Sequence, residues 1–262
     1  MYTLHEYIKA KTSEEAAQLL QANPRNTIIG GNMWLRMGSR SFHTGIDLCD
    51  LGLDKIEYQE EHVSIGAMTS LAALRTNEVL SKVTYGAFEH CVAPIVGTQF
   101  QNMATIGGSL YARFGFSDIN TLLLALDAAA EFVIAGTEKV EKYLAQGLEK
   151  GRDVLTHIII PAHWTKVSFS DFRNTSTDLS VLNCACASNG VDYRVAVGAR
   201  PGRCVICTAA SEAWKAGKTP EEIAAIAAEE LTFGSNGRAS APYRKIICEQ
   251  LVMRCIKEAD KC

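Results

Sequence analysis

The sequence lacks any uninterrupted apolar run long enough to span a membrane, and its opening stretch, Met1 to Thr12, lacks the basic and apolar regions of a secretory signal. A cytoplasmic protein without membrane association is the expectation. Excess charge of either sign is also missing: 26 Lys and Arg stand against 29 Asp and Glu, a formal net charge of −3. Nucleic-acid binding calls for a basic excess on one face and is not expected. Histidine is scarce, and His5, His43, His62, His90, His157 and His163 show no metal-ligand spacing. Cysteine is not scarce. Nine cysteines without an export signal, an odd number, argue against a disulfide framework. The C-x-x-C of residues 204–207 lies in a β-branched run, and Cys184 and Cys186 lie two apart. A redox C-x-x-C is expected to open a helix, so these thiols read as packed in or beside strands, with no metal expected.

What is present is mixed α and β, twice over. Thr12 and Glu15 have the spacing of a capping box before a helix that stops ahead of Pro24. Residues 26–31 read as a short strand ending in two glycines, and 56–67 as a hairpin. Residues 70–96 have apolar positions at helical spacing, enough for two helices. A helix over 117–128 and strands over 130–136 and 154–161 follow. After Pro161 the character changes to two or three long antiparallel strands, then helices over 219–231 and 241–261. The predicted class is α+β, with a domain at 1–162 in two parts (about 1–55 and 56–162) and a smaller domain at 163–262, an antiparallel sheet plus helices.

Two stretches resemble each other. "NTIIGGNMWL" and "NMATIGGSLY" each run from β-branched residues into Gly-Gly, then a small polar residue, then bulky apolar ones. A glycine pair lets a partner approach the main chain closely, and successive exposed N–H groups form an anion-binding nest. Neither stretch has the G-x-G-x-x-G or P-loop spacing. Gly30-Gly31 and Gly107-Gly108 therefore read either as plain tight turns or as two cradles for the halves of a diphosphate, with Asn32, Thr105 and Ser109 adding hydrogen-bonding groups.

On these motifs the chain resembles the FAD-binding medium subunit of the molybdenum hydroxylases, the xanthine dehydrogenase and carbon monoxide dehydrogenase family. "IIGGNMWL" matches that family's first glycine turn, "SIGAMTSLAAL" its I-G-A-x-T segment, and "QFQNMATIGGSL" its longer mid-chain motif. Asp118, "VLTHIIIP" and "RNTSTDLSVL" follow in the family's order. The resemblance implies a two-part FAD-binding domain followed by the C-terminal domain. It implies FAD held by Ile29, Gly30, Gly31, Asn32 and Met33 on one side of the diphosphate, and by Thr105, Ile106, Gly107, Gly108 and Ser109 on the other. Asp118 would bond within the site, Leu155 would lie beside the adenine or flavin, and Phe169 either covers the flavin or packs in a strand. Asp118 also reads as a helix N-cap, Asp178 as a turn or domain-contact residue, and Trp34 as core, cofactor or partner contact.

The family's arginine is Gln101 here, and its C-terminal-domain lysine has no clear match, Arg173 standing nearby. By resemblance the partners are a small 2Fe–2S subunit and a large molybdopterin subunit on separate chains. The chain itself needs no catalytic acid, base or nucleophile, and passes electrons to NAD+ or another acceptor. A scaffold that has lost FAD and a self-sufficient flavin oxidase are the alternatives. Valine at Gly107 or Gly108 is expected to abolish FAD binding in a folded chain, and serine at Cys204 and Cys207 to change nothing.

Overall fold

The computed structural model describes residues 1–262. Strand β1 (Thr3–Lys9) leads into helix α1 (Ser13–Ala22), then strands β2 (Thr27–Ile29) and β3 (Ser41–Asp47). The three strands form a parallel sheet in the order β1-β3-β2. Thr12 caps α1 by accepting the Glu15 N–H at 3.1 Å, while the Glu15 carboxylate reaches the Lys11 N–H instead of completing the box. Ala16, Ala17 and Leu20 of α1 close over Ile46 and Leu48.

The second unit opens with the expected hairpin, β4 (Ile56–Gln59) and β5 (His62–Gly66). Six short helices follow: α2 (Leu71–Thr76), α3 (Glu78–Val83), α4 (Ala87–Val92), α5 (Thr98–Met103), α6 (Ile106–Tyr111) and α7 (Asp118–Ala125). Residues 70–96 thus form three helices, not two. Asn77 breaks the run by capping α3 through the Leu80 N–H at 2.8 Å, and Gly86 breaks it again with φ at 75°. Strands β6 (Ala129–Phe132) and β7 (Gly136–Lys139), helix α8 (Val140–Gln146) and strand β8 (Leu155–Pro161) complete an antiparallel sheet of order β4-β5-β8-β6-β7.

The third unit is a four-stranded antiparallel sheet, order β12-β11-β10-β9, made of β9 (Lys166–Phe172), β10 (Leu182–Ser188), β11 (Tyr193–Gly198) and the short β12 (Val205–Ile206). Helices α9 (Thr208–Lys215), α10 (Pro220–Glu230) and α11 (Ala241–Ala259) cover one face. A full capping box between Thr219 and Glu222, with Pro220 after it, starts α10. Every residue of β10 is buried. Successive side chains point to opposite faces, so Ala185 and Ala187 join the core shared with α4 and α7. Cys184 and Cys186 join the core under α9–α11. The sheet is therefore a central layer with helices on both sides, and the second and third units share one apolar core.

No helix is long and apolar enough to cross a membrane. Cys204 and Cys207 flank β12 and are buried. Cys207 occupies the N-cap of α9, the position associated with reactive thiols, yet burial pushes its thiol well up and leaves it inert.

Candidate functional site: a cleft where the three units meet

A cleft of about 590 Å3 opens between the parallel sheet, the α5–α7 segment and the turn before β10. Its first wall is the turn after β2. Ile29 ends the strand opposite Asp47 and is buried, and its side chain occupies the space that a Cβ on Gly45 would need. Beyond it Asn32 takes φ of 61°, a left-handed conformation that re-aims the chain, and its Nδ2 donates to Tyr2 Oη at 2.7 Å. The backbone N–H groups of Gly30, Gly31, Asn32 and Met33 find no protein acceptor. Four successive free amides around one left-handed residue form a nest suited to an anion.

The second glycine pair differs. Residues 105–111 do not repeat the strand-then-turn form: Thr105 is the N-cap of α6, and Gly107 and Gly108 lie in its first turn. The amides there are already used. Ile106 N–H goes to Thr69 O at 3.0 Å, Gly107 N–H to Ala67 O at 2.9 Å, and Gly108 N–H to Thr105 Oγ1 at 3.1 Å. Local sequence could not separate the two cases, because a threonine that favours a strand is equally good as a cap.

The glycines also divide by role. A Cβ on Gly31 would collide with the Met103 carbonyl oxygen, and one on Gly107 would sit 2.5 Å from Ala67 O. These two let backbones pack. Gly30 and Gly108 are less tightly enclosed: a Cβ on either would meet Thr105 Oγ1 first, at 3.4 and 3.2 Å, and at Gly108 that hydroxyl would have to give by a few tenths of an ångström. The two turns thus come together at the Thr105 hydroxyl, with Gly30 and Gly108 lining the cleft on either side.

Asp118 is not a cap; Ser117 is, and Asp118 is the first residue of α7. Its buried carboxylate accepts from Arg173 Nη2 at 2.6 Å, Ser180 Oγ at 2.6 Å and Asn183 Nδ2 at 2.7 Å. Arg173 also donates to Asp171 at 2.7 Å and to the Asp178 carbonyl at 2.6 Å. Burial raises the Asp171 carboxyl above its ordinary range, opposed by the Arg173 charge. The cluster joins the second unit to the third, and both Asp118 and Arg173 line the cleft. Asp178 lines it too, and its carboxylate pairs with Arg238 at 2.8 Å.

Of the residues singled out from the sequence, the cleft is lined by Gly30, Gly31, Asn32, Met33, Thr105, Gly107, Gly108, Ser109, Asp118 and Leu155. Ile29 and Ile106 turn inward, and Phe169 packs in the shared core opposite Ala185, away from the cleft. Sequence reasoning singled out Trp34 but missed the two phenylalanines it meets on the rim. Phe114 and Phe116 stack with centroids 5.0 Å apart, and Trp34 leans on both at 5.4 and 5.3 Å. The F-x-F spacing was the available signal. Gln101 lies outside this cleft. Its Nε2 ties down the Val92 and Ile95 carbonyls at 3.1 and 3.0 Å, an internal bracing role.

An anion nest, a glycine-smoothed wall and a long, largely apolar cleft define a protein built for a nucleotide cofactor. Comparison with known proteins makes that specific. Residues 2–163 match the FAD-binding domain in molybdopterin dehydrogenase, and residues 167–259 the CO dehydrogenase flavoprotein C-terminal domain. The chain belongs to this family of FAD-binding medium subunits of the molybdenum hydroxylases. It is 26% identical to the nicotine 6-hydroxylase medium subunit of Paenarthrobacter nicotinovorans, over 97% of this chain and 96% of that one. It is 24% identical to the glyceraldehyde dehydrogenase medium chain of Sulfolobus acidocaldarius, over 96% and 97%. Reconstituted CO dehydrogenase from Oligotropha carboxidovorans shares the fold with a TM-score of 0.86 at 20% identity, covering 97% of this chain and 96% of that one. The chain is thus an oxidoreductase subunit whose cofactor is FAD.

Proposed function

We propose that this chain passes electrons from the 2Fe–2S clusters of a small partner subunit, through FAD in the cleft, to an acceptor such as NAD+, while a molybdopterin subunit carries out the substrate chemistry. Four free amides at Gly30–Met33 carry this reading, because they match the charge and reach of a diphosphate. Bound there, FAD supplies the ability to take electrons singly and release them in pairs.

The chain's own residues bind and position. The nest neutralises phosphate charge, and Gly108 lets the other side of the diphosphate lie close to α6. The Thr105 hydroxyl, which accepts the Gly108 N–H, keeps its own proton for that side, while the Ser109 hydroxyl donates to the Thr105 carbonyl at 3.0 Å and offers only its oxygen. Leu155 and Met33 give the apolar floor, and the Trp34–Phe114–Phe116 group shields the rim from water. Arg173 holds a buried positive charge on the wall nearest the C-terminal unit, fixed in place by Asp118 and Asp171. The exposed apolar side chains of Trp34, Val96 and Met103 fit the docking of partner subunits.

The experiment is an absorption spectrum of the purified chain before and after acid release of the cofactor, with the released species identified. FAD near one per chain is the expected result. A colourless chain that also refuses added FAD would leave only a scaffold.

A further inference from the structure

The core beneath α11 contains a group unrelated to the cleft. Cys184 and Cys186, on the same face of β10, meet Cys255 of α11, and their three sulfurs lie within 4.8 Å of one another. All three residues have no exposed surface. Cys184 and Cys186 Sγ are 3.9 Å apart. Zinc–thiolate bonds of about 2.3 Å in a tetrahedral arrangement set sulfurs about 3.8 Å apart. Ser168, opposite Cys186 on β9, brings its Oγ to 3.0 Å from Cys255 Sγ and donates to the Cys255 carbonyl at 2.6 Å, an outer partner that holds this ligand in place. The other buried cysteines, Cys91, Cys204, Cys207 and Cys248, belong to no such group.

We propose that Cys184, Cys186 and Cys255 form a closed structural site for a thiophilic d10 cation, Zn2+ or Cu+, that fastens α11 to the C-terminal sheet. Three convergent sulfurs select this class of ion over hard cations; they complete a three-coordinate Cu+ site and supply three of the four tetrahedral ligands of Zn2+, and full enclosure suits a structural rather than a catalytic site. Each thiol gives up its proton to solvent as its bond to the ion forms, and no oxidant or reductant is consumed. The sequence concealed the site because its ligands come as a strand pair and a distant helical residue, with no finger-like spacing.

The rival is that three small side chains merely fill the core. The test is zinc and copper analysis of the full chain purified without chelator under anaerobic conditions, followed by Co2+ titration of any metal-free chain. About one zinc or copper per chain is expected, and which of the two is present names the ion. Co2+ should give thiolate charge-transfer absorption. Cys186→Ser should lower metal affinity about tenfold or more, while Cys248→Ala and Cys91→Ala leave it unchanged. Metal-free protein without thiolate bands on Co2+ addition overturns the proposal. So does metal content that Cys186→Ser does not change, provided circular dichroism shows that variant folded.

Discussion

At the scale of single residues, the glycines of the cleft are not interchangeable. Gly108 is exposed and a side chain there meets only the Thr105 hydroxyl, whereas Gly107 is buried against the Ala67 carbonyl. Gly108→Val is therefore expected to melt within a few degrees of the parent yet lose most of its FAD. Gly107→Val and Gly31→Ala are expected to lose about 3 kcal/mol or more through overpacking of backbone on backbone. Thermal melts paired with flavin content separate the two classes; a Gly107→Val chain as stable as the parent would contradict this division. The expectation from sequence alone treated both glycines of the second pair as cofactor contacts. Both glycines line the cleft, and they differ in what a side chain would meet there. Which glycine faces outward depends on where α6 starts, and Thr105 in a β-branched run conceals that start.

At the scale of elements, the cleft depends on two links, one between the second and third units and one within the third. The first is Asp118 at the start of α7, gripped from both ends of the β9–β10 turn and from β10. Asp118→Ala leaves Arg173 short of a buried partner and is expected to cost about 3 kcal/mol, measured by urea unfolding. The second link is Asp178 with Arg238, which ties the turn before β10 to the loop before α11. Hydrogen bonding from Arg238 and the Leu179 amide holds the Asp178 carboxyl below its ordinary value of 3.8. A depressed folded-state value means that the stabilisation is complete above 3.8 and disappears as pH falls through the folded value. The melting temperature of Asp178→Asn should thus lie below the parent's at neutral pH, with the gap closing in acid. A gap that widens on acidification would show the link has the opposite sign. Helical periodicity made α1, α7, α10 and α11 legible in advance. The parallel sheet was not, because its strand order joins residues 3–9, 41–47 and 27–29 through contacts that no local pattern encodes. The same holds for Arg173, Phe114 and Phe116, which reach the cleft only through the packing of separate units.

On the scale of the whole molecule, the change of character after Pro161 marks a change of sheet but not of core. All eight residues of α7 are buried, and α7 packs on β10 and β11. Val167, Ala185, Ala187 and Ala196 of the C-terminal sheet belong to the same apolar cluster as α4 and α7. One cooperative unfolding transition is therefore expected for the full chain, with calorimetric and van't Hoff enthalpies in agreement. A fragment ending at residue 162 would expose the α4 and α7 faces and should bind a hydrophobic dye while lacking a sharp melt. Two resolved transitions would instead show the units folding independently.

The cleft draws its walls from all three units, so its occupant stabilises the assembled form of the chain and has no equivalent place on the unfolded one. Free FAD at about a hundred times its dissociation constant would add about 2.7 kcal/mol to folding stability. That is enough to lower the unfolded population roughly a hundredfold and to slow degradation that proceeds through it. The steady-state amount of this subunit would then follow the supply of flavin in the cell, without any dedicated sensor.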